Sequence, residues 1–60
     1  MNEELINKHI ADIYRGMMPE VLSTDEWKEA YNRFFDSNGE MREEYDPNIN
    51  PVSPEILKYL

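Results

Sequence analysis

The stretch Ser23-Thr-Asp-Glu-Trp-Lys-Glu-Ala-Tyr-Asn-Arg-Phe-Phe35 decides the fold of this chain. Its apolar side chains recur at helical spacing, at positions Trp27, Ala30, Tyr31, Phe34 and Phe35. This spacing predicts one face of an α-helix that runs from about Thr24 to Asp36. Ser23 and Glu26 have the spacing of a capping box, so we expect Ser23 to cap this helix. The only Trp and both Phe residues lie here, so this helix brings much of the apolar area for a core.

A second apolar stripe precedes this stretch. It consists of Ile6, Ile10, Ile13 and Met17, which are spaced by 4, 3 and 4 residues. The pattern predicts a helix over about residues 3 to 16, with Asn2 as the N-cap. Gly16 can adopt the left-handed conformation that ends a helix, and Pro19 prevents its continuation. The connector that follows is apolar, and we expect Met18, Val21 and Leu22 to tuck beneath the helices. The alternative is an exposed, Met-rich patch that binds a partner.

The segments after the second helix are shorter. Gly39 is expected to take a positive φ, and residues 40–45 to form one or two helical turns. Three of the four prolines lie between residues 46 and 54, which favours an extended connector. Ser53-Pro54-Glu55 is typical of a helix start and predicts a terminal helical turn.

The fold predicted by these patterns is all-α. It is a small helical domain with two main antiparallel helices, a short third helical segment and a Pro-rich C-terminal arm that ends in a helical turn. Residues 1–46 would form the helical core, and residues 47–60 would form the arm.

Length and composition limit how such a chain can be stabilised. A 60-residue chain buries only about 60% of the surface that its unfolded form exposes, so its stability is marginal. Small domains of this kind usually depend on a disulfide, a metal or an oligomer partner. The chain has no Cys and a single His, His9, which leaves few means of holding a metal. We therefore expect either a homo-oligomer or a complex with a larger protein.

The charge and the apolar pattern narrow the classes of partner. The net charge of −7 disfavours direct binding to nucleic acid or to an anionic membrane, since both need clustered Lys and Arg. Nine acidic and three basic residues lie between positions 19 and 46, so most of the negative charge is in the middle of the chain.

The acidic N-terminus lacks the apolar segment of a signal peptide. We therefore expect a complete cytoplasmic protein that starts at Met1.

Candidate chemistry in the sequence is sparse. A calcium loop starting at Asp36 would have Met41 at its sixth position and Pro47 at its twelfth, where Gly and Glu are needed. The sequence around Glu43 and Glu44 contains nothing that would raise the pKa of a carboxyl group. His9 does not belong to a recognisable catalytic motif. We therefore predict no enzyme activity, no catalytic residue, no metal and no cofactor. An enzyme or metal protein is the least favoured class.

Two surfaces are candidates for binding a protein. The acidic candidate face comprises Asp25, Glu29, Asp36, Glu40, Glu43 and Glu44. The apolar candidates are Phe35, Tyr45, Ile56, Tyr59 and Leu60.

Three function classes remain. The favoured hypothesis is a small acidic module that regulates or inhibits a larger protein with a basic groove, with carboxylates in the place of nucleic-acid phosphates. Short, acidic, Cys-free chains are common among phage or mobile-element proteins that disable host machinery, and this analogy of type suggests such an origin. The alternative is a self-assembling structural subunit that docks its C-terminal arm on a neighbouring copy. The third class is the enzyme or metal protein.

Overall fold

The computed structural model describes all 60 residues and contains only helical elements joined by turns. They are α1 (Glu3–Tyr14), α2 (Asp25–Phe34), a 3₁₀ turn (Glu43–Tyr45) and α3 (Pro54–Leu57). There is no β-strand, and one isolated antiparallel bridge joins Phe35 to Met41. The prediction of a small all-α domain is confirmed, whereas the antiparallel direction of the two main helices stays a prediction. None of the helices combines the length and the apolar character needed to cross a lipid bilayer.

Helix α1 begins as predicted and ends early. The side chain of Asn2 caps it by accepting a hydrogen bond from the N–H of Leu5 at 3.2 Å. The helix ends at Tyr14, and Gly16 follows with a φ of 73°, a left-handed conformation that glycine adopts without strain. The prediction that Met17 continues the apolar stripe is therefore wrong. The turn at Gly16 moves Met17 off the helix, and 63% of its surface is exposed.

Helix α2 is capped by Thr24 and not by Ser23. The Thr24 hydroxyl accepts a hydrogen bond from the N–H of Trp27 at 3.3 Å, because the helix begins one residue later than the capping box predicts. The Glu26 carboxylate does not complete the predicted capping box. It accepts a hydrogen bond from the N–H of Asn2 at 3.2 Å. This hydrogen bond lowers the pKa of Glu26 and ties the start of α2 to the start of α1.

Replacing Thr24 with alanine tests this cap. An N-cap side chain contributes about 0.5 to 2 kcal/mol, so we expect Thr24→Ala to lower the free energy of unfolding by that amount. The matched variant Ser23→Ala should change it by less than about 0.5 kcal/mol, as is usual for surface positions. Urea denaturation followed by circular dichroism compares the two. A larger loss of stability for Ser23→Ala would show that Ser23 caps the helix, as the capping box predicts.

The core is a single cluster of apolar side chains from all three α-helices. Its buried members are Ile6, Ile10, Ala11, Ile13, Ala30, Phe34 and Ile56. Helix α1 lies at its centre, because it packs against both α2 and α3. Ile56 of α3 is only 4% exposed and belongs to the same cluster as the residues of α1 and α2. The division into a core of residues 1–46 and an arm of residues 47–60 stays a prediction.

Phe34 is the centre of the aromatic packing. Its ring lies 5.0 Å from that of Tyr14, 4.9 Å from Phe35 and 5.6 Å from Tyr45, measured between centroids. The Tyr14 hydroxyl donates a hydrogen bond to the carbonyl oxygen of Tyr45. Burial raises the pKa of both Tyr14 and Tyr45. The 3₁₀ turn is thereby held against the two main helices, although it has only three residues.

The connector between α1 and α2 is exposed. Met18 and Val21 have 41% and 73% of their surfaces exposed, so the expectation that they tuck beneath the helices is wrong, whereas Leu22 is half-buried. The left-handed turn at Gly16 comes directly before the connector, so Met18 and Val21 do not continue the buried face of α1. The arrangement favours the alternative of an exposed apolar patch. We call Met17, Met18 and Val21 the connector patch.

Candidate functional site

The six predicted acidic residues extend along α2 and past its end. Asp25 lies in the first turn of α2, whereas the residues from Asp36 onward follow its other end. Ten residues of α-helix span about 15 Å, which separates the two groups. Beyond α2, a turn brings Asp36 and Glu40 together, with Glu43 close behind on the 3₁₀ turn. We call Asp36, Glu40, Glu43 and Glu44 the acidic end.

Two of the six carboxylates already have partners within the chain. Glu29 receives a hydrogen bond of 2.8 Å from Arg33, which confirms the pairing expected at i, i+4 on a helix. Arg33 also donates to Glu3 of α1, and these two carboxylates hold its pKa well above the usual value. Asp36 accepts from the N–H groups of Asn38 and Glu40, at 2.8 and 3.0 Å, and so closes its own turn.

The carboxylates of Asp25, Glu40, Glu43 and Glu44 have no such partner in the chain, and all four residues are exposed. Three of them lie in the acidic end. Arg42 lies among these three and places one positive charge there, with its guanidinium 3.4 Å from the carbonyl oxygen of Asn32. The acidic end is therefore the part of the predicted face that could meet a basic partner.

The five predicted apolar residues lie mainly in the protein's own core. Ile56 is buried, and Phe35, Tyr45 and Tyr59 are half-buried and pack against the core cluster. The half-burial of Phe35 confirms the expectation that it lies at the border of the apolar stripe. Only Leu60 has half of its surface exposed.

Other large apolar side chains are exposed, and most of them were not among the predicted site residues. They are Met1, Met17, Met18, Val21, Met41, Ile49 and Leu57. Three of these seven form the connector patch, within five consecutive residues. Arg15, next to the connector, donates a hydrogen bond to the carbonyl oxygen of Tyr59. This contact joins the side chain of Arg15, at the start of the connector, to the backbone near the end of the chain.

His9 is more buried than the sequence suggests. Its ring lies flat on that of Trp27, with centroids 3.7 Å apart and planes 13° apart. Only 9% of the residue is exposed, and its Nδ1 atom is buried without a hydrogen-bond partner. Burial lowers the pKa of His9, against the opposing attraction of Asp12. The His-Asp spacing of three residues was a visible signal for proximity, but the stack on Trp27 had none.

No cluster of His, Asp and Glu side chains is placed to hold a metal ion, and no pocket opens on the surface. Comparison of the chain with models of protein families, with curated proteins and with solved structures finds no match.

Proposed function

We propose that this chain is a small, acidic, non-enzymatic module that binds a larger protein in the cytoplasm and regulates or inhibits it. The observation that carries the proposal is the connector patch, an exposed run of apolar side chains on a protein with only eight buried residues. Because the chain is short, acidic and free of Cys, as many phage or mobile-element proteins are, we further propose such an origin.

The connector patch has the chemistry of a binding surface. Met17 and Met18 have flexible, polarisable side chains that adapt to the shape of a partner. Val21 is 73% exposed, and burying one such side chain contributes about 1.5 to 3 kcal/mol. A contiguous exposed apolar patch is a feature of interaction sites on small proteins.

The acidic end supplies the second element of the proposal. Three of its carboxylates have no partner in the chain, so they can attract a basic groove and replace the phosphates of nucleic acid in it. Exposed charges of this kind act mainly on the rate of association and are screened by salt. The apolar contact would remain at high salt. The two surfaces therefore predict different responses to ionic strength.

The finer details of the fold also enter here as proposals. We take residues 47–60 to be a Pro-rich arm whose last turn, α3, anchors it through Ile56. The main helices, proposed to be antiparallel, would hold the acidic end and the connector patch in fixed positions relative to each other.

The experiment is a pull-down of tagged protein from lysate of its own cells, at low and high salt, read by mass spectrometry. We expect one dominant protein to be retained at both salt concentrations. The double variant Met17→Ser/Val21→Ser should lose it, since the apolar contact is removed. The matched control Ile49→Ser changes an equally exposed apolar residue far from the connector in sequence and should retain it.

A second comparison separates the acidic end from the connector patch. The variant Glu43→Gln/Glu44→Gln should weaken retention at low salt and leave it unchanged at high salt. The control Glu4→Gln/Glu55→Gln removes the same charge from exposed residues outside the acidic end and the connector patch, and should have less effect. Equal loss in the two acidic variants would mean that net charge alone matters. Recovery of the bait alone in every sample would contradict the proposed function.

Self-assembly is the alternative function, and one observation favours it. Helix α3 is a short element at the end of a Pro-rich segment, and it contributes a buried side chain to a core built mainly by α1 and α2. The same contact could be made between copies if the arm of one chain placed its Ile56 in the core of another. Sedimentation equilibrium distinguishes the two states, and a monomer at all concentrations would eliminate the alternative.

A further inference from the structure

The junction of α1 and α2 contains the only imidazole and the only indole of the chain, in direct contact. His9 lies in the middle of α1, and Trp27 lies in the first turn of α2, three residues after its cap. The stack therefore joins the middle of α1 to the first turn of α2.

The burial of Nδ1 makes this contact dependent on the protonation of the ring. A neutral imidazole carries one proton, which can reside on Nε2 and leave Nδ1 as a bare acceptor. A charged imidazolium has N–H groups at both positions. The buried Nδ1–H would then have no acceptor, because the nearest carboxylate oxygen, Oδ2 of Asp12, is 3.8 Å away. That separation exceeds the range of a hydrogen bond.

The charged groups around the ring do not offset this cost. On α1, Asp12 favours the charged ring and Lys8 opposes it, while on α2 Glu26 favours it weakly. Arg15 pairs with Oδ1 of Asp12, so only its Oδ2 faces the ring, at 3.8 Å, and Glu26 accepts a hydrogen bond from Asn2. No charged group of α3 acts on the ring. Burial is the largest influence, and it lowers the pKa of His9 below the ordinary value of 6.5.

We propose that His9 is a pH-sensitive latch that joins α1 to α2 when its ring is neutral and weakens their junction when the ring is protonated. A depressed histidine pKa in the folded chain stabilises the fold fully above the unfolded pKa. That stabilisation is lost as the pH falls through the folded pKa, so the latch weakens toward pH 5. This inference does not depend on the proposed function, because it concerns the fold alone.

The test begins with the unaltered protein. The single histidine gives one imidazole resonance, so NMR titration from pH 8 to pH 4.5 reads the pKa of His9 without ambiguity. The same titration in concentrated urea gives the unfolded value. We expect the folded value to be the lower of the two. A folded value equal to or above the unfolded one would mean that Asp12 turns to the ring and stabilises its charge, and the latch would be disproved.

The pH dependence of stability provides the matched comparison. Between pH 7.5 and 5 the unfolding equilibrium constant of the unaltered protein should rise, approaching tenfold for each pH unit that separates the two pKa values. His9→Phe keeps an aromatic ring on Trp27 but cannot titrate, and its constant should change much less over this range. An equal change in both proteins would overturn the proposal. If His9→Phe fails to fold, the NMR titration still decides.

Discussion

Phe34→Ala is expected to unfold most of the protein at room temperature. Phe34 is 5% exposed and contacts the rings of Tyr14, Phe35 and Tyr45, so its removal leaves a cavity that three aromatic side chains line. Truncating a buried Phe to Ala costs about 3 to 5 kcal/mol. At typical stabilities per residue, a 60-residue domain has roughly 3 to 9 kcal/mol in total. The loss is therefore comparable with the whole free energy of unfolding.

Circular dichroism during thermal and urea denaturation measures this effect. Val21→Ala is the control, because it also truncates an apolar side chain but one that is largely exposed, and it should shift the transition little. The aromatic contacts also predict that the Phe34 variant releases the 3₁₀ turn, which NMR would detect as new chemical shifts for Tyr45. If Phe34→Ala is as stable as the unaltered protein, the ring of Phe34 is not the centre of the aromatic packing.

Ile56→Ala is expected to destabilise the protein nearly as much, by about 2 to 4 kcal/mol. Its side chain is 4% exposed in the cluster shared with α1 and α2, although its helix has only four residues. The neighbouring variant Leu57→Ala is the matched control, because Leu57 is 55% exposed. It should alter the free energy of unfolding by less than about 0.5 kcal/mol. Urea denaturation of the two variants measures the difference.

The same pair of variants bears on self-assembly. If Ile56 packs within its own chain, the loss of stability in Ile56→Ala should not depend on protein concentration. If the arm is exchanged between copies, the midpoint of unfolding should rise with concentration in the unaltered protein, and this dependence should weaken in the variant. The concentration series therefore separates an internal anchor from an intermolecular one.

The sequence predicted the long helices because their apolar spacing is a property of the residues themselves. Ile6, Ile10 and Ile13 are buried as the stripe on α1 predicted. Ala30 and Phe34 form the buried part of the face on α2. The positive φ of Gly39 was also predictable, because few other residues adopt it without strain.

The remaining features depend on contacts between distant segments, which periodicity does not report. The connector patch is apolar in sequence, and nothing in its spacing indicates that Met18 and Val21 are left exposed. Ile56 and Tyr45 lie on elements of four and three residues, too short to show a periodic pattern. The six acidic residues were grouped by proximity in sequence and helical spacing, but the length of α2 separates Asp25 from the four that follow the helix.

The stack of His9 on Trp27 makes the protein its own fluorescent reporter. Because the chain has one tryptophan, its emission reports on the surroundings of the α1–α2 junction. Circular dichroism follows all the helices, so the two signals should change together only if the protein unfolds in one step. Detachment of α3 before the main helices separate would lower the helical signal while the emission stays constant. Stopped-flow fluorescence would therefore time the closing of this junction during folding without an added dye.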